Sequence, residues 1–106
     1  MDIVQLREYC LSKENVTEGF PFGEDTLVFK VKGKIFALAN LSGDHSVNLK
    51  CDPAFAIELR EKYSSVTPGY HMNKKHWNTV LLDGSVPDKE LFSWVDHSYN
   101  LVYSGK

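Results

Sequence analysis

The chain has 106 residues, a formal net charge of −2, and 42% hydrophobic and 25% charged residues. That length and balance fit one globular domain over residues 1–106 with one core. The slight acidity excludes a global positive field that would draw in nucleic acid, so any polyanion binding must rest on a local patch. No apolar run approaches the roughly 18 residues a membrane span needs, and no signal peptide is evident. The expected setting is therefore the cytoplasm, with Cys10 and Cys51 as buried thiols rather than a disulfide.

Asp2 can cap a helix running to about Lys13, in which Ile3, Leu6 and Cys10 recur at helical spacing. Val16 to Glu18 reads as a short edge strand. Gly19-Phe-Pro-Phe-Gly23 is a turn whose rings either pin the loop to the core or line a pocket wall.

Thr26 to Val31 and Lys34 to Leu41 are strand-like and meet at Lys32-Gly33, a hairpin signal. A two-residue loop pairs Val31 with Lys34 and groups Leu27, Phe29, Val31, Phe36 and Leu38 on one face. A three-residue loop pairs Lys30 with Lys34 and groups Leu27, Phe29, Ile35, Ala37 and Ala39. The second is favoured, because the first asks a lysine for positive φ. It sets Lys30 beside Lys34, either tolerated at the hairpin's wet end or kept to hold an anion.

His45 to Lys50 alternates as a strand with Val47 and Leu49 inward. Asp52-Pro53 is the sharpest helix start in the chain, an N-cap acceptor ahead of a proline at the first helical position. Phe55, Leu59 and Tyr63 share one face of that helix, which ends before Ser64-Ser65. Trp77 to Leu82 forms another strand. Pro87 opens a last helix whose stripe is Leu91, Trp94, Val95, Ser98, Tyr99 and Val102. The expected fold is α+β: a mostly antiparallel sheet covered on one face by helices, in the order α, three or four strands, α, one or two strands, α.

The segment Thr67 to Val80 concentrates the chemistry. His71 and His76 are five apart with no third ligand nearby, which disfavours a metal site. No nucleophile elbow, phosphate loop or paired carboxylate accompanies them, so neither a catalytic residue nor a cofactor is expected. Anion binding suits the residue types better. Lys74 and Lys75 bring charge, Asn73 and Asn78 amide donors, and Tyr70 and Trp77 rings on which a base could stack. The plainer alternatives are a core Trp77, a solvated Lys-Lys turn and a structural His76.

Pro68-Gly-Tyr-His-Met-Asn-Lys-Lys-His-Trp77 resembles the signature segment of the MmcQ/YjbR family of small bacterial proteins. Gly33-Lys-Ile-Phe-Ala37, Asn48-Leu-Lys-Cys-Asp-Pro53 and Asp83-Gly84 ahead of the last helix run in the family's order, so the similarity covers nearly the whole chain. The resemblance implies an α+β fold with an antiparallel sheet and, through likeness to a double-wing domain of a phage transcription factor, a DNA-binding role. It marks Lys34, Lys50, Tyr70, His71, Lys74, Lys75, His76 and Trp77 as the nucleic-acid-binding residues. The expectation is a monomeric, non-enzymatic module binding DNA through a lysine patch on the sheet face and the 70–77 loop. The alternative is a module that docks another protein on the open sheet face, where Phe36 and Leu38 would lie.

Overall fold

The computed structural model describes residues 1–69 and 72–105. Asp2 starts helix α1 (Ile3–Leu11) with a capping box, accepting from the Gln5 N–H while the Gln5 side chain returns to the Asp2 N–H. Five strands and a helix follow: β1 (Val16–Gly19), β2 (Thr26–Val31), β3 (Lys34–Asn40), β4 (Ser46–Lys50), α2 (Pro53–Lys62) and β5 (Val66–Pro68). The chain closes with β6 (Trp77–Leu81) and α3 (Asp88–Tyr103). The strands form one sheet in the order β1-β2-β3-β4-β6-β5, and every neighbouring pair is antiparallel.

Alternation along the strands divides the sheet into two faces. On one, Leu27, Phe29, Ala37, Ala39, Val47, Leu49 and Val80 pack against Leu6 and Cys10 of α1, Ala56 and Leu59 of α2, and Leu91, Trp94, Val95 and Val102 of α3. Among the described residues no helix contributes to the cluster on the other face, where Val28, Leu38 and Trp77 are buried against Ile35 and Met72. Both cysteines are free and buried in the helical-side core. Burial pushes each thiol up to about 12, so neither ionises near neutral pH.

The hairpin differs from the favoured register. Val31 stands opposite Lys34 and Lys30 opposite Ile35, so the loop has two residues and Lys30 is not beside Lys34. Lys32 takes φ 53° and Gly33 φ 75°, the left-handed pair such a turn demands. The conformation costs a lysine about 1–2 kcal/mol. An anchor offsets it: the Lys32 ammonium lies 3.9 Å from the Tyr103 ring centroid and donates to the Tyr103 carbonyl at 3.3 Å.

Beyond the turn the register shifts, with Ala37 opposite Phe29, which leaves Phe36 as the extra residue of a β-bulge. Phe36 and Ala37 consequently both face the helices. Neither sequence-based grouping is complete: Val31 and Phe36 belong to the core, as the two-residue loop implies, while Ala37 and Ala39 do too, as the three-residue loop implies. Ile35 leaves the core for the outer cluster, and Phe36, expected on an open face, is fully buried.

The Gly19–Gly23 turn is not pinned to the core. Phe20 is 51% and Phe22 65% exposed, and each lines a different hollow on the outer side. Among the described residues, no helix is long and apolar enough to cross a membrane.

Candidate nucleic-acid interface

The β3 bulge determines what lies beneath Lys50. Pairing of β4 with β3 ends at Leu49 opposite Ala37, so the Lys50 N–H lacks a strand partner on that side. Ser98 of α3 takes its place. Its hydroxyl, fully buried, accepts from the Lys50 N–H at 2.9 Å and donates to the Phe36 carbonyl at 2.6 Å. One side chain thus satisfies both backbone groups that the bulge takes out of the ladder.

The neighbouring His97 accepts from the Asp52 N–H through Nε2 at 3.1 Å and meets the Phe55 ring edge-on at 5.2 Å. Asp52 in turn caps α2, its carboxylate accepting from the Phe55 N–H. Two consecutive residues of α3 therefore hold the turn Lys50-Cys51-Asp52 from below.

The 73–77 loop is held from the side by α2. Arg60 donates through Nε to the Asn78 side-chain oxygen at 2.6 Å, and through Nη2 to the Trp77 carbonyl at 3.3 Å and to the Lys74 carbonyl. Asn78 passes the connection on, donating to the Ala56 carbonyl at 3.3 Å. It is 2% exposed, so it serves the framework and is not the anion donor the sequence proposes. The Cys51 N–H donates to the His76 carbonyl at 2.7 Å and extends the β4–β6 pairing into the loop. Gly69 runs so close to β6 that an added Cβ would lie 2.9 Å from the Trp77 Cβ and 3.2 Å from its carbonyl. That approach excludes any larger residue.

Between these supports lies a cleft of about 560 Å³ lined by Lys50, Asn73, His76, Trp77, Leu101 and the Cys51-Asp52-Pro53 turn. A smaller hollow of about 110 Å³ adjoins it and shares Lys50, with Lys34, Ile35 and Val102 among its walls. Lys34 and Lys50, 16 positions apart in the sequence, are thereby brought to one place. Lys74 and Lys75 are exposed on the loop that rims the cleft, without lining it among the described residues. The Lys75 N–H donates to the Asn73 side-chain oxygen at 2.9 Å, which directs the Asn73 amide nitrogen elsewhere. His76 is partly exposed, and its imidazole has no hydrogen-bond partner among the described residues.

Trp77 is 8% exposed and belongs to the outer-face cluster, so its ring is first a packing element, though the residue also lines the cleft. Tyr70 and His71, expected in the same site, lie outside the described residues. Burial and the adjacent Asp52 keep the Cys51 thiol protonated near neutral pH, so it offers the cleft no nucleophile. Among the described residues, no three His, Cys, Asp or Glu side chains are grouped to hold a metal ion.

Sequence reasoning missed Arg60, Ser98 as a polar hub, and His97. Arg60 reads as one more basic residue near a helix end, and Ser98 as a small member of an apolar stripe. The only local signal was a serine at a core position, since a buried hydroxyl must find partners.

Comparison with known proteins agrees with this architecture. The YjbR family model matches residues 11–101. The uncharacterized protein YjbR of Escherichia coli K12 is 37% identical over 100 residues, covering 93% of this chain and 85% of its own. The uncharacterized protein YbdF of Escherichia coli O157:H7 is 42% identical over 87 residues, 81% of this chain and 71% of its own. Among solved structures, the Deinococcus radiodurans protein DR2400, a DUF419 domain, superposes with a TM-score of 0.90 at 43% identity, covering 94% of this chain and 77% of that one. A Pseudomonas syringae protein superposes with a TM-score of 0.84 at 31% identity, covering 95% and 98%. The chain belongs to the YjbR family.

Proposed function

We propose that this chain is a non-enzymatic nucleic-acid-binding module whose site is the cleft at the Lys50 end of the sheet. The observation that carries the reading is the pair of adjoining hollows that meet at Lys50. They gather Lys34, Lys50, Asn73 and His76 beside an apolar wall of Trp77 and Leu101. Cations for phosphate and apolar surface for a base are what nucleic-acid contacts require. Lys74 and Lys75 add charge at the rim.

In a slightly acidic chain the affinity must come from these few lysines. Neutralising about four phosphates implies that log K falls with log salt at a slope of about −3, with a Kd near physiological salt on the order of 10⁻⁴ to 10⁻⁶ M. Fluorescence anisotropy of a labelled oligonucleotide across a salt series tests this. A flat salt response would contradict it. Replacing Lys74 and Lys75 together by Ala should reduce the slope by about 1–2.

A second reading, docking of a protein partner, has its own observation. The outer sheet face carries the Val28–Leu38–Trp77 cluster and a hollow of about 410 Å³ between Phe22, Leu38 and Met72, with Phe22 largely exposed. Apolar surface of that kind, uncovered by a helix, suits a partner strand or helix. Loss of partner capture in Phe22→Ser with unchanged oligonucleotide binding would assign the two faces separately.

A further inference from the structure

Resting on the nucleic-acid reading, we infer that the unit held in the 560 Å³ cleft is one unpaired nucleotide of a single strand, not the backbone ridge of a duplex. The shape of the site is the first argument. The cleft is concave, bounded by the 73–77 loop, the Cys51-Asp52-Pro53 turn and Leu101 near the end of α3. Its volume falls within the range of pockets that engulf small molecules. A base in a duplex is paired and stacked and cannot enter such a hollow, whereas an unpaired base can be splayed into it.

The distribution of charge is the second. Lys34 lies only in the small hollow, Asp52 only in the large one, and Lys50 in both. Phosphates are drawn to the Lys34–Lys50 end and repelled from Asp52. A carboxylate can instead accept from the exocyclic amine of a base. The nucleotide therefore has a direction, with its phosphate at Lys50 and its base toward Asp52.

The third is the set of groups left to meet a base. The Asn73 oxygen is occupied by the Lys75 N–H, so its amide hydrogens remain to donate. The His76 imidazole has no partner among the described residues. Trp77 and Leu101 give the base an apolar wall. A duplex backbone can take hydrogen bonds from Asn73 and His76 through its phosphates, but it leaves the apolar wall of Trp77 and Leu101 unused.

The test is a two-dimensional NMR titration of the ¹⁵N-labelled protein at one low salt concentration with four probes. They are a single-stranded 12-mer, the duplex of the same sequence, a nucleoside 5′-monophosphate and inorganic phosphate. The single strand should shift Lys50, Cys51, Asn73, His76 and the Trp77 indole, and bind roughly tenfold more tightly than the duplex. The monophosphate should shift the same signals at higher concentration, and inorganic phosphate only those nearest Lys50.

The variant His76→Ala should keep its dispersed spectrum and lose several-fold more of its single-strand affinity than of its duplex affinity. Duplex binding equal to or tighter than single-strand binding would overturn the inference while leaving the nucleic-acid reading intact. Single-strand shifts confined to other residues would also overturn it. No shift with either oligonucleotide would overturn both.

Discussion

Two of the places where apolar side chains meet the surface are built in opposite ways. At the Lys50 end of the sheet, backbone groups of the β3 bulge and of the surrounding turns are tied down by side chains. Ser98 holds Phe36 and Lys50, His97 holds Asp52, and Arg60 holds Lys74 and Trp77. At the Gly19–Gly23 turn, Phe20 and Phe22 stand largely in solvent. The first region is a cleft whose backbone is already fixed when a ligand arrives, while the second is an exposed apolar rim. The candidate site is thus distinguished by what lies beneath it rather than by the residue types it displays.

Mutations can break that contrast, and the largest effect is expected at Ser98. Ser98→Ala leaves the Phe36 carbonyl and the Lys50 N–H buried without a partner, and should cost about 2–4 kcal/mol in urea unfolding. A loss below about 0.5 kcal/mol would show that the bulge does not depend on the hydroxyl.

Arg60→Met is next. It removes three charge-assisted hydrogen bonds and orphans the Asn78 oxygen, at an expected cost of about 2 kcal/mol. Amide hydrogen exchange should quicken across residues 74–77 and not in β2. Uniform acceleration would mean that Arg60 supports the whole fold rather than the loop.

Asp52→Ala removes the α2 cap and should cost about 1 kcal/mol. The change is confined to one helix end, so a thermal melt suffices to detect it. At the exposed rim, Phe20→Ser and Phe22→Ser should each shift stability by no more than about 0.5 kcal/mol. A larger loss would mean that these rings pack in solution, and the contrast between the two regions would fail.

Much of the fold was legible in local sequence. The Asp52-Pro53 start, the α3 stripe and the strand alternation around Val47 and Leu49 all appear as expected. The hairpin register did not, because two tertiary features decide it. Lys32 tolerates a left-handed φ by anchoring on Tyr103, 71 positions away, and the Phe36 bulge depends on a serine 62 positions away. No window around residues 26–41 contains either partner.

The candidate site was legible in part as residue types: Lys50 joins the hollow that holds His76 and Trp77 to the one that holds Lys34, while Lys74 and Lys75 stay at the rim. Its supports were not, since Arg60 and Ser98 declare themselves only through what they touch. Phe20 and Phe22 misled in the opposite sense, because ring size suggests burial where the fold provides nothing to bury against.

The central claim is that a local group of lysines, not net charge, binds nucleic acid at the Lys50 end. It is tested most directly by comparing two charge-matched double variants. Lys34→Gln/Lys50→Gln neutralises the proposed site. Lys62→Gln/Lys89→Gln removes the same charge elsewhere. Lys62 lies at the far end of α2 from Asp52, and Lys89 lies 12 residues of helix, about 18 Å, from Leu101. Single-stranded oligonucleotide affinity at low salt should fall at least about tenfold in the first variant, with a salt slope smaller by about 1.5, and stay near wild type in the second. Equal losses in the two variants would contradict the account.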